Sequence, residues 1–218
     1  MFIHHHPYPP FIPEKATKLI VGTIPPPRFS GSGLYQDDVD FCYGSKHGLL
    51  WPILDTIYDL HLVYRHNDKA VEQRKSFLKD FGIGICDLVQ SCEREKNDAS
   101  DLGMNHLKLR DLIGYLKAFP RVNTLLFMGG QSKNGPEYLF RRHLAAYGLT
   151  LQSLSVESPR IHQFMLDDRR IKTISLISPS NAANRSIGAN PKFKEEKRIN
   201  KNFTTLQFRI DQYRKFFI

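Results

Sequence analysis

Apolar residues fall along this chain in two rhythms, short unbroken runs and spaced stripes, and the two alternate. Four unbroken runs end in turn residues: Lys18 to Ile24 before Pro25-Pro26-Pro27, Phe81 to Val89, Val122 to Met128 before Gly129-Gly130, and Lys172 to Ile177 before Ser178-Pro179-Ser180. Continuous hydrophobicity of this kind belongs to parallel strands covered on both faces. Thr150 to Val156 is a weaker candidate at the flank. The stripes lie between the runs. Leu49, Leu50, Ile53, Leu54, Ile57 and Tyr58 follow helical spacing, and Leu107 to Phe119 and Pro136 to Tyr147 read as two more helices. Ile199, Phe203, Leu206, Ile210, Tyr213 and Phe217 form one stripe opposite a Lys/Arg-rich face, which reads as a single long helix packed on a sheet.

Strands alternating with helices predict a three-layer α/β/α sandwich with a central, mainly parallel four-stranded sheet. One domain over residues 1–218 is expected, with a proline-rich arm over 1–16. Met1 to Pro13, rich in His, Pro and aromatic residues, offers no pattern for a regular element. His4, His5 and His6 read as part of that arm rather than as a metal tract, because no carboxylate or thiol alternates with them.

Charge narrows the choice of partner. Lys and Arg number 31 against 22 Asp and Glu in 218 residues, a formal charge of +9. On a small globular chain such an excess points to a polyanion, nucleic acid above all. The three cysteines, Cys42, Cys86 and Cys92, are odd in number and lack CxxC spacing, so neither a disulfide framework nor an iron–sulfur site is expected. No apolar run is long enough to cross a bilayer, and no charged-then-apolar leader opens the chain. A soluble, cytoplasmic monomer without metal or cofactor is the expectation.

Function in open α/β sheets collects where loops leave the carboxyl ends of the strands. Three such loops stand out: Gly22 to Arg28 with the following Asp37 to Ser45, Asp87 to Arg94 with the polar stretch Asn97 to Asp101, and Ser178 to Ser186. None is a phosphate cradle of the GxGxxG or GxxxxGK[ST] type. The last is rich in hydroxyl and amide groups and carries Arg185, which suits donors aimed at phosphate or a base edge as well as an ordinary Ser/Asn turn.

These loops also carry a resemblance. Gly22-Thr-Ile-Pro25, then Phe41-Cys-Tyr43, then Trp51-Pro-Ile-Leu54 resembles the first motif region of the uracil-DNA glycosylase superfamily, closest to its hypoxanthine/uracil and mismatch-specific branches. Gly84 to Arg94 is similar to the second strand and loop of those branches. Leu176 to Asn184 is similar to the second motif, the loop that enters the minor groove. The resemblance spans residues 5–190 in order.

It implies a protein that flips a deaminated or mismatched base out of DNA and hydrolyses its N-glycosidic bond with water. Such chemistry needs an aromatic surface, donors toward the departing base and a group that orients water. Gly22, Thr23, Phe41, Tyr43 and Asp87 are the base-pocket candidates, with core packing as the competing role for the aromatics and loop support for Asp87. Ser178, Ser180, Asn181, Asn184 and Arg185 are the DNA-binding candidates, while Arg141, Arg142, Lys192, Lys194 and Arg198 serve the backbone or are solvated charge. The resemblance also has two gaps. Ile24 stands two residues after Gly22, where relatives place a catalytic Asp or Asn, and Gly48 stands three before Trp51, where the nearest branch places Asn. Neither side chain can orient water, so Asp38, Asp40, Ser45 and His47 become the candidates for that role. A relative that binds damaged or structured nucleic acid without cleaving it, and an unrelated nucleotide-handling enzyme, are the alternatives.

Overall fold

Strands form where apolar residues alternate between the two faces of one sheet. In the computed structural model, which describes residues 1–31, 33–98 and 100–218, these strands are β2 (Lys18–Val21), β3 (Ile83–Ile85), β6 (Thr124–Phe127) and β9 (Arg169–Ser175). The pairs β3–β2, β2–β6 and β6–β9 are all parallel. Leu19, Val21, Leu125, Phe127 and Ile171 point to one face, and Ile20, Leu126, Ile174, Ile83 and Ile85 to the other, as the two-residue period requires.

The first face packs on α3 (Leu112–Ala118) and α4 (Pro136–Ala145) through Leu112, Ile113, Leu116, Leu139, Phe140 and Leu144. The second packs on α1 (Leu50–Tyr58), α2 (Asp68–Asp80) and α7 (Thr205–Phe217), with Trp51, Phe77, Ile210 and Tyr213 at its centre. This is the expected α/β/α sandwich, and its four parallel strands are the four predicted runs.

The sheet is larger than expected. An antiparallel hairpin, β8 (Arg160–Leu166) on β9 and then β7 (Gln152–Ser155), extends it to six strands in the order β3-β2-β6-β9-β8-β7. A second, three-stranded antiparallel sheet joins β1 (Phe2–His5), β4 (Val89–Arg94) and β5 (Asn105–Leu109). Two expectations are thereby corrected. The opening segment is regular where its composition suggested none, because β4 offers it a complete ladder from Phe2↔Arg94 to His5↔Ser91. Leu107 to Phe119 is part strand and part helix, with Asp111 capping α3 by accepting from the Gly114 N–H.

The arm continues past β1 and lays Phe11 against Ile85 at the free edge of β3, exchanging both backbone hydrogen bonds. This caps an edge that would otherwise invite another strand.

The last helical stripe is also corrected. It divides into α6 (Pro191–Ile199) and α7, with α5 (Asn184–Ala189) before them. Thr204 caps α7 by accepting from the Gln207 N–H, and Ile199 is 71% exposed. A cluster of Phe193, Phe203 and Phe208 rings rejoins the two helices. At the far end of α7, the Phe217 carbonyl accepts from Lys18 Nζ on β2 and from the Tyr58 hydroxyl on α1. Cys42, Cys86 and Cys92 are free and buried, and no helix among the described residues is long and apolar enough to cross a membrane.

Candidate functional site

The parallel strands deliver Gly22, Asp87 and Ser178 to the same edge of the sheet, and each exit is fixed by hydrogen bonds. Beyond β3, Asp87 turns its carboxylate back under β2. Its Oδ1 accepts from the Gly22 N–H at 3.0 Å and from the Tyr43 hydroxyl at 3.1 Å, and its Oδ2 meets His6 Nε2 at 3.1 Å. Burial alone would raise this carboxyl. The His6 contact, the Tyr43 hydroxyl and the Arg110 charge outweigh that effect and hold it below the ordinary carboxylate range. Three hydrogen bonds thus tie Asp87 to the loops around it.

Gly22 must be glycine for a spatial reason. A Cβ there would overlap the Tyr43 hydroxyl oxygen and lie 2.7 Å from Asp87 Oδ1. Tyr43 itself has a left-handed backbone, φ 58°, which turns its ring onto Gly22. Burial and the neighbouring Asp87 push its phenol well above the usual value, so it stays a donor.

The 178–186 loop reaches the same place. The Leu49 N–H donates to the Pro179 carbonyl at 2.9 Å, and Asn181 Nδ2 lies 3.4 Å from the His47 carbonyl. The aromatic loop and the small polar loop are therefore neighbours. Beneath the polar loop lies Arg209 of α7, fully buried, which donates to the Ser178 and Ser180 carbonyls at 2.9 and 2.8 Å and to Asn184 Oδ1 at 2.9 Å. Burial lowers its pKa, and its partners are neutral oxygens. The Ser180 side chain caps the next turn from the Ala182 N–H. Arg185 is exposed on α5, and Arg142 on α4 and Lys192 and Lys194 on α6 are exposed as well. Arg141 is paired with Glu137 and Arg198 with Glu195.

The candidates for orienting water are less evenly placed. Asp38 is fully buried, and four hydrogen bonds fill its oxygens: Arg28 Nε and Nη2 at 2.8 and 3.0 Å, the Tyr35 N–H at 3.0 Å and the Lys46 N–H at 2.8 Å. It organises the loop and has no lone pair left for water. Ser45 Oγ accepts from the same arginine at 2.7 Å. Asp40 is exposed and accepts from Tyr8, and His47 is exposed. Phe41 is only 6% exposed and sits among Tyr8, Phe11 and Trp51, so its faces serve the core rather than a base.

Ile24 is buried against the first core face. Gly48 has no left-handed backbone, yet a Cβ would stand 3.1 Å from the Ser45 carbonyl and 3.3 Å from that of Tyr43. A side chain at 48 must move backbone.

Asp38 is a stability group with a clear pH signature. Burial works to raise its pKa, but the Arg28 and backbone hydrogen bonds bring it below 3.8. Its stabilisation is complete above the ordinary carboxylate value and disappears as pH falls through the lowered one. The difference in urea midpoint between wild type and Asp38→Asn should therefore be constant near neutrality and shrink only below pH 3.8.

Reasoning from the sequence missed four residues here: His6, Arg28, Arg209 and Asp101. Arginines in polar loops and surface helices carry no sign that they will be buried, and His6 reaches Asp87 across 81 positions. Asp101 lies in the polar stretch noted after β4 and accepts from the Thr23 hydroxyl at 2.8 Å. Among the described residues no three His, Cys, Asp or Glu side chains are grouped to hold a metal ion.

No protein-family model and no curated protein sequence matches the chain significantly. Among solved structures, it is similar to the solution NMR structure described as "a putative Uracil DNA glycosylase from Methanosarcina acetivorans". The match has 18% identity and a TM-score of 0.56, covering 99% of this chain and 97% of the other. The two proteins share a fold along their whole length.

Proposed function

We propose that this protein is a DNA glycosylase-like enzyme that flips uracil or another deaminated base from DNA and hydrolyses its N-glycosidic bond, nearest to the hypoxanthine/uracil and mismatch-specific branches. The observation that carries the reading is the Leu49–Pro179 hydrogen bond, which brings the Gly22–Tyr43–Asp87 cluster and the Ser178–Asn184 loop to one edge of a parallel sheet. The full-length likeness in fold and the charge of +9 support it. In this reading Gly22 and Tyr43 floor the base pocket, and Ser178, Ser180, Asn181, Asn184 and Arg185 meet the backbone. Asp87 holds the pocket's shape rather than reading the base.

A second reading, recognition of damaged or structured nucleic acid without cleavage, is favoured by the saturation of Asp38, by the three hydrogen bonds that hold buried Asp87 and by the apolar Ile24.

Duplex oligonucleotides with one uracil, hypoxanthine, xanthine or mismatched thymine separate the two. Alkali-labile strand breaks at one of these bases are expected. Binding without breaks selects the second reading. Affinity should fall with salt along a log–log slope of about −0.9 per phosphate neutralised. A slope of zero would remove both.

A further inference from the structure

With Asp38 saturated and Ile24 apolar, water at the strand edge needs another acceptor, and a carboxylate from a different segment stands there. Asp101 follows β4 in sequence but lies against the exit of β2, where its Oδ1 takes the Thr23 hydroxyl at 2.8 Å. Thr23 is the neighbour of Gly22, whose N–H is held by Asp87.

The backbone around Asp101 is tied down on both sides. Buried Asn134, with φ 61°, donates through Nδ2 to the Asp101 and Met104 carbonyls, both at 2.9 Å. Buried Arg94 of β4 donates to the Ser100 carbonyl at 2.8 Å. The second oxygen, Oδ2, has no protein partner among the described residues, and it is not one of the buried unpartnered atoms. It faces solvent.

We infer that Asp101, through Oδ2, is the group that orients and deprotonates the attacking water. This rests on the glycosylase reading. In the step, the water oxygen bonds to the sugar C1′ as the C1′–N bond breaks. The bonding pair leaves with the base as an anion, and the water proton passes to Asp101 Oδ2. That proton returns to solvent afterwards, and no oxidant, reductant or metal is required.

The charge environment suits the role. Burial raises the Asp101 carboxyl to about 6, with the Asp87 charge acting in the same direction, while the Thr23 hydroxyl and the Arg94 charge pull it back. The group is ionised at neutral pH and is still basic enough to take a proton.

The test is single-turnover excision of uracil from a duplex, run between about pH 5 and pH 8 with affinity for the same duplex measured alongside. Asp101→Asn keeps an acceptor for Thr23, so its fold and its DNA affinity should be unchanged. Its excision rate should drop by ~10²–10⁴-fold. The wild-type rate should fall below pH about 6 as the carboxylate is protonated, and the variant's profile should lose that limb. Thr23→Val removes the hydroxyl that lowers the Asp101 pKa, so the acid limb should move to higher pH, an effect that a merely structural role would not produce. An active wild type together with an equally fast Asp101→Asn of the same pH profile overturns the assignment and leaves the glycosylase reading standing. A wild type that binds but excises none of the bases overturns both.

Discussion

Replacing Arg209 with Met should lower stability by about 3 kcal/mol, because the cation makes several hydrogen bonds that an apolar chain cannot replace. The lost bonds run to Ser178 O, Ser180 O, Asn184 Oδ1 and Thr205 O, and the carbonyls left behind are poorly placed to find water. Met keeps most of the aliphatic volume, so the change isolates the guanidinium rather than a cavity. Urea unfolding should show an earlier midpoint with an unchanged slope. Affinity for DNA should fall as well, since the 178–184 loop loses its internal support. Arg209→Lys should recover only part of the loss, because a single ammonium cannot span acceptors arranged for a planar fork. An unchanged midpoint in Arg209→Met would mean that the loop holds its shape without the cation.

The second large effect is expected at Gly22. A Cβ there overlaps the Tyr43 hydroxyl, so Gly22→Ala must push the phenol off Asp87 and cost about 1–3 kcal/mol through overpacking and the lost bond. Tyr43→Phe removes the hydroxyl alone and leaves the ring carbon Cζ 3.0 Å from the new methyl. The two changes should therefore be strongly non-additive, the double variant being markedly more stable than the sum of the singles predicts. Base excision should fall in Gly22→Ala even under conditions where the protein is fully folded. Additive unfolding free energies would show that Tyr43 does not occupy the space above Gly22 in solution.

What was legible in the sequence follows from what buries apolar surface. Lys18 to Ile24 and Val122 to Met128 announce themselves because both faces of those strands are covered. β8 does not, since only three of its residues are buried, one of them His162, while Gln163 is half-buried and Met165 exposed. α2 is hidden for a related reason. Of its thirteen residues only Ala70, Arg74, Phe77 and Leu78 are buried, and the Arg74 cation lies over the Trp51 ring. β1 depends on a partner strand nearly ninety positions away, as the His4↔Cys92 pairing shows, and no local pattern reports that.

The same limit explains the site. Gly22, Tyr43 and the Ser178–Asn184 loop were visible as unusual exits from predicted strands. Whether a carboxylate there is free or spent depends on tertiary donors, and those that decide it, Arg28 at Asp38 and His6 at Asp87, carry no sign of the role in the sequence.

The tie between Phe217 and both Lys18 and Tyr58 has a consequence for the order in which the molecule is made. On a ribosome the first parallel strand and the first helix emerge early, while the helix that covers their shared face emerges after every other element described here. Until then Ile20, Trp51 and Leu54 have no lid, and the polar loop after β9 has no cation beneath it. Contacts this distant close slowly, because the loop entropy must be lost before they form. The nascent chain therefore carries an exposed apolar face for most of its synthesis, a state in which growing chains associate with one another or with chaperones. The edge that carries the 178–186 loop is completed last, because the Arg209 that braces this loop lies on the final helix.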